Sequence, residues 1–172
     1  MNVARQPSLR PADVVITLAL TATPNMLYEE LSARLHLSLG AVHGGVRRLQ
    51  SAMLLIPGTR LPNRPNLKEF LLFGVPYVFF PSLGAITRGV PTAHSAPPLR
   101  DAFTGGGDLV WPSPDGTVRG ESITPLYPGA PLLAGEDPEL YGALTVIDVL
   151  RVGQSRERER AREWLASYLA QR

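Results

Sequence analysis

Apolar residues recur every three or four positions through the first fifty residues, and that spacing predicts three helices. Pro11 is placed to open the first, with Ser8 or Arg10 before it. Val14, Val15, Leu18 and Leu20 carry its apolar side up to Thr21. Thr23-Pro24-Asn25 breaks the pattern, and Asn25 is the expected cap of a second helix over Met26–His36, with Leu27, Leu31 and Leu35 four apart. After a break at His36-Leu37-Ser38, Ser38 caps a third helix whose buried stripe is Val42, Val46, Leu49 and Met53.

Beyond Met53 the period changes. Leu54-Leu55-Ile56 closed by Pro57-Gly58 reads as a strand entering a turn. Thr59–Asn66 is polar and proline-broken, hence an exposed loop. Asn66–Phe73 reads as helix, ended by Gly74, and Tyr77–Phe80 as a strand. Leu109–Trp111 and Val118 flank Asp115-Gly116, a hairpin signal. Near the far end, Asp137-Pro138 is a cap followed by a first-turn proline, opening a helix to Val152. Ser155 caps a last helix to Ala170, with opposite charges three apart and Trp164, Leu165, Tyr168 and Leu169 in its second half.

Composition sharpens this organisation. Ten of the 17 prolines lie between Pro81 and Pro138, where they disfavour long helices and central strands. The fold class expected is therefore mainly α with short β, an α+β chain. It divides into an N-terminal unit over 1–80, an irregular proline-rich middle with short strands over 81–136, and a C-terminal helical pair over 137–172 for dimerisation or partner binding. No cysteine is present, which excludes disulfides, thiolate catalysis and cysteine–zinc sites. The three histidines are scattered. No metal, cofactor or catalytic group is expected, and no signal or membrane span is read, so the cytoplasm is the expected compartment.

The net charge of +2 hides an asymmetry: residues 1–80 carry +4, and 81–135 and 136–172 carry −1 each. Arg34, Arg47, Arg48, Arg60, Arg64 and Lys68 follow one another with no acid between them. Folded onto one face, they make a polyanion-binding surface.

The run Leu31-Ser-Ala-Arg-Leu-His-Leu-Ser-Leu-Gly-Ala-Val-His-Gly-Gly-Val-Arg-Arg-Leu49 carries the spacing that two helices joined by a short turn require. Together with Leu54-Leu55 it resembles the winged helix-turn-helix of bacterial transcription regulators, the MarR-like class in particular, over roughly residues 9–65. The resemblance implies that the helix beginning after Ser38 is a recognition helix. Ser38, His43 and Arg47 would meet the major groove, with Arg48 nearer the DNA backbone. Arg60, Asn63 and Arg64 would sit on a basic wing, and Arg34 on the preceding helix. It implies double-stranded DNA as partner, a homodimer and repression. The alternative is a winged helix that binds protein, as in an antitoxin or adaptor, with the middle or C-terminal segment as a further contact.

Two features depart from the pattern. Gly44-Gly45 in mid-helix costs about 1 kcal/mol per glycine. Gly45 suits close packing, whereas Gly44 has no stabilising role in the sequence. The wing is rich in proline and followed by a helix, with Tyr77–Phe80 as a delayed return strand. An enzyme is not read. Thr104-Gly-Gly-Gly-Asp108 lacks the Gly-Lys-Ser/Thr ending of a phosphate loop, and no second acid follows to hold metal ions. His94 and Ser95 are adjacent, a poor geometry for a base and its nucleophile. Thr87–Leu99 is read as a loop lining a pocket or an interface.

Overall fold

The computed structural model describes residues 6–172, and the chain is a mixed α/β protein, mainly helical. Three helices lead: α1 (Pro11–Ala22), α2 (Tyr28–Leu35) and α3 (Leu39–Ser51). Ser38 caps α3 as its sequence position predicts, its Oγ accepting from Ala41 N at 3.1 Å. The cap of α2 differs from expectation. Leu27 occupies that position, and the Glu30 carboxylate reaches back to accept from Leu27 N at 2.8 Å. Asn25 instead takes a positive φ of 61° within the preceding turn. The turn between α2 and α3 is set by His36, whose φ of 51° is left-handed.

Leu54–Ile56 does pair, but with a return segment close by. Ile56 N donates to Leu61 O and Asn63 N to Leu54 O, both at 2.9 Å, around the bridge Leu55–Pro62. The return strand is thus Leu61–Asn63, and Tyr77–Phe80 is not needed for it.

A helical segment follows: α4 (Arg64–Glu69), a wide π turn at Phe70–Gly74, and α5 (Val75–Val78). Two expectations are corrected here. Gly74 does not end the helix, and Tyr77 and Val78 are helical. Gly74 is required by packing, because a Cβ there would lie 2.8 Å from the Phe70 ring. A short, wholly apolar run has no periodicity to separate helix from strand, which is why the sequence misleads.

The middle segment is a small three-stranded barrel of β1 (Leu83–Pro91), β2 (Leu109–Pro112) and β3 (Val118–Ile123). β1 pairs antiparallel with β2 through Gly89–Pro91 and with β3 through Leu83–Gly89. β2 and β3 are therefore parallel to each other and pair through Leu109–Glu121 and Val110–Ser122, so Asp115-Gly116 lies in a connection between parallel strands and is not a hairpin turn. Closure depends on glycines where backbones touch. A Cβ at Gly89 would lie 2.2 Å from Trp111 O, and one at Gly120 would lie 2.4 Å from Asp108 O. Thr87–Pro91, expected in a loop, belongs to β1.

Three helices follow from Leu133 onwards: α6 (Leu133–Glu136), α7 (Pro138–Val152) and α8 (Ser155–Ala170). Asp137 caps α7, its Oδ1 accepting from Leu140 N at 3.1 Å, and Pro138 takes the first position. α8 is capped by Gln154 rather than Ser155. α7 is buried on nearly every side and forms the axis of the molecule. One apolar core runs from Val14 to Leu169 and draws on α1, α3, the barrel and α7 alike, so the three stretches expected as separate units share it. α8 docks along its length through Ala161, Leu165, Tyr168 and Leu169. Among the described residues no helix is long and apolar enough to cross a membrane.

Candidate nucleic-acid interface

α3 divides cleanly into two sides. Val42, Gly45, Val46 and Leu49 are buried against α1 and α2, while Gly40, His43 and Arg47 face outwards. Gly45 is a close-packing position: a Cβ there would lie 2.4 Å from Ile16 Cδ1. Gly44 has a role that the sequence did not disclose. A Cβ there would stand 3.1 Å from a guanidinium nitrogen of Arg48, so its absence leaves room for that side chain.

Arg48 needs the room because it does not point outwards. Its Nε donates to Asp13 Oδ2 at 2.8 Å and its Nη2 to Asp13 Oδ1 at 2.7 Å. Asp13 is almost wholly buried in α1 and is also held by Arg10 N at 2.8 Å. The hydrogen bonds to Asp13 hold the Arg48 guanidinium above its ordinary range, against the opposing effect of burial. This fork joins α3 to α1, so Arg48 is not offered to a DNA backbone in this arrangement.

Arg34 is engaged in the same way. Its Nε donates to Asp137 Oδ2 at 2.7 Å, tying α2 to the cap of α7. Beside it His36 Nε2 lies 2.5 Å from Glu136 Oε2, so the α6–α7 corner clasps the turn between α2 and α3. The basic block is free of acids in sequence but not in space, because Asp13, Glu136 and Asp137 converge on it.

The hairpin residues are also partly committed. Arg60 donates to Met26 O at 2.8 Å and to Asn25 O at 3.2 Å, and its guanidinium lies 4.9 Å from the centre of the Tyr28 ring. Gln50 Nε2 donates to Thr59 O at 2.6 Å. The hairpin therefore folds back on α2 and α3 instead of reaching out. Asn63 caps α4 by position but without a side-chain hydrogen bond. Arg64 donates to Leu169 O at 3.0 Å and to the backbone oxygen of Arg172.

What the fold does bring together is a shallow groove of about 350 Å³ on α3, lined by Tyr28, Gly40, His43, Gly44, Arg47 and Gln50 among others. His43 stacks on Tyr28 with ring centres 3.9 Å apart, and Arg60 covers Tyr28 close by. Arg47 is exposed, and among the described residues its guanidinium makes no hydrogen bond or ion pair. Tyr28 was not singled out by sequence; an aromatic opening the helix before the turn is the signal that marks it. Of the eight residues expected at the interface, His43 and Arg47 line this groove, Ser38 caps its helix, and Arg60 borders it through Tyr28. Arg34, Arg48 and Arg64 are bound elsewhere, and Asn63 stands at the start of α4.

Comparison with protein-family models, with curated proteins and with solved structures finds no match for this chain.

Proposed function

We propose that this chain is a DNA-binding transcriptional regulator of the winged helix-turn-helix kind, in which α3 enters the major groove and the Leu54–Asn63 hairpin acts as a short wing. The observation that carries the reading is the two-sided character of α3. Its apolar stripe is sealed against α1 and α2, while Gly40, His43, Gly44 and Arg47 remain open on the other side. Arg47 supplies a free guanidinium fork that suits guanine or phosphate. The bare backbone at Gly40, where a Cβ would meet nothing, allows a close approach to the duplex. Arg60 adds positive charge at the flank through its contact with Tyr28, where phosphate contacts orient the protein. Few side chains on this face can read base edges, so recognition rests heavily on phosphates and duplex shape. Occupying an operator in this way represses transcription, and two copies place two recognition helices on successive half-sites.

The test is fluorescence anisotropy with the duplex upstream of the protein's own coding sequence, titrated from about 50 to 200 mM salt. Binding that weakens steeply with salt supports the reading, and no binding at low salt rejects it. A second reading, docking of a protein on the same helix, is favoured by Leu39, which is 41% exposed at the start of α3. Capture of a protein partner by a chain that ignores duplex DNA at low salt is its signature.

A further inference from the structure

Residues 70–87, between Glu69 and Arg88, form an uncharged stretch of 18 residues. Such a stretch is expected to be buried, and Leu71, Leu72, Val75 and Pro76 are. Six others are not: Phe73, Tyr77, Val78, Phe80, Leu83 and Ile86 are between 52% and 76% exposed. Phe73 and Tyr77, four apart, lie on consecutive turns of the helical segment, and Phe80 follows just beyond its end at Val78. On β1, Ala85 is the extra residue of a bulge, so Leu83 and Ile86 oppose Ile123 and Glu121, two apart, and project to the same face.

With aromatic side chains of 150–250 Å² each, the six offer roughly 700 Å² of apolar surface. That exceeds the patch of about 300–600 Å² found on ordinary monomers and approaches the roughly 800 Å² per partner of a stable interface.

We propose that this face is where a second copy of the chain docks. Its six side chains are uncharged, and the charges at its margin are of both signs: Arg162 lies 5.4 Å from the centre of the Phe73 ring, and Arg119, Glu121 and Glu157 lie beside Leu83 and Ile86. A twofold axis that brings the surface against its own copy can therefore set opposite charges together. The strand edge favours protein over lipid. Leu83–Thr87 pairs with β3 alone, leaving backbone groups on the other side that a protein partner can satisfy and hydrocarbon cannot. None of the six residues lines the groove on α3, so that groove stays open in the pair. This interface supplies the second copy that the DNA-binding reading calls for and in that respect rests on it. Its test is run without DNA, so the two can fail separately.

The experiment is sedimentation velocity on the full chain up to about 100 µM, with Tyr77→Glu, Phe80→Asp and Ile86→Lys variants. All three positions are more than two thirds exposed, so the core is not disturbed, and far-UV circular dichroism checks this. The wild type is expected to sediment at twice the 18.6 kDa chain mass, and each folded variant to dissociate at least ~100-fold more readily. A wild type that stays monomeric overturns the proposal, whether or not it binds anionic vesicles. So does a dimer indifferent to all three substitutions. A dimer without duplex binding rejects the DNA reading alone, and a monomer that binds duplex rejects the interface alone.

Discussion

Trp111 Nε1 donates to Asp148 Oδ2 at 2.6 Å, and this bond fastens the small barrel to the central helix α7. The same oxygen accepts from Thr92 Oγ1 at 2.7 Å, and the other oxygen accepts from Arg151 at 2.6 Å. Arg151 in turn donates to Phe79 O at 2.7 Å, at the end of the α4–α5 segment. One buried carboxylate thus joins three parts of the chain. Asp148→Ala leaves Arg151, Trp111 and Thr92 buried without their acceptor, and an expected loss of about 3–5 kcal/mol follows. Trp111→Phe keeps most of the packing and is expected to cost about 1–2 kcal/mol. Urea denaturation measures both. An Asp148→Ala loss below that of Trp111→Phe would show that the carboxylate is not the hub.

The two adjacent arginines of α3 are expected to separate stability from binding. Arg48→Ala strips Asp13 of its partner and should destabilise the fold by about 2–3 kcal/mol, the lower end for a buried pair because Arg48 is 23% exposed. Arg47→Ala should leave stability within about 0.5 kcal/mol. It should also weaken duplex binding across sequences and flatten the salt slope by about one. Equal effects of the two changes on unfolding would refute this division of labour.

Gly44 and Gly45 should respond oppositely to alanine. At Gly45 the new methyl meets Ile16 and Asp13, so the helix propensity gained is outweighed and a net loss of about 1–2 kcal/mol is expected. At Gly44 only the Arg48 guanidinium must give, by a few tenths of an ångström, and the change should be near neutral or stabilising. Thermal melts of the two variants decide it, and a stabilised Gly45→Ala contradicts the packing argument.

Burial pushes the Tyr141 and Tyr168 phenols up to about 12. Tyr141 donates to Pro91 O at 2.6 Å, and Tyr168 to a Glu139 carboxylate oxygen at 3.2 Å. Their folded values lie above the ordinary phenol value near 10, so the unfolded chain loses these protons first. Stability is therefore full below pH 10 and declines as pH rises towards 12, by about 1 kcal/mol per tyrosine at pH 11. Urea midpoints at pH 8 and pH 11 test this. The Tyr141→Phe/Tyr168→Phe variant should show a shallower decline, and a decline equal to the wild type's rejects the assignment.

Local signals were legible where chemistry acts within a few residues. The apolar spacing located α1, α2, α3, α7 and α8, and Ser38 and Asp137 marked their caps because a side-chain oxygen reaches only the amides three residues on. The strand at Leu109–Trp111 was legible too. Its pairing was not, because an Asp-Gly turn signals an antiparallel hairpin, whereas β2 takes β1 as its antiparallel partner and lies parallel to β3. The apolar run Tyr77–Phe80 gave no period, and only packing between the π turn and α7 made Tyr77 and Val78 helical.

By itself, then, the sequence determined α1, α2, α3, α7 and α8, the caps of α3 and α7, and the two-sided character of α3, since these follow from a 3.6-residue period and from hydrogen bonds spanning three or four residues. The tertiary structure decided which arginines of the basic block remain available. Arg48 finds Asp13 35 residues away and Arg34 finds Asp137 103 residues away. No local spacing encodes such pairs; they exist only because the core brings α1 against α3 and α2 against the start of α7.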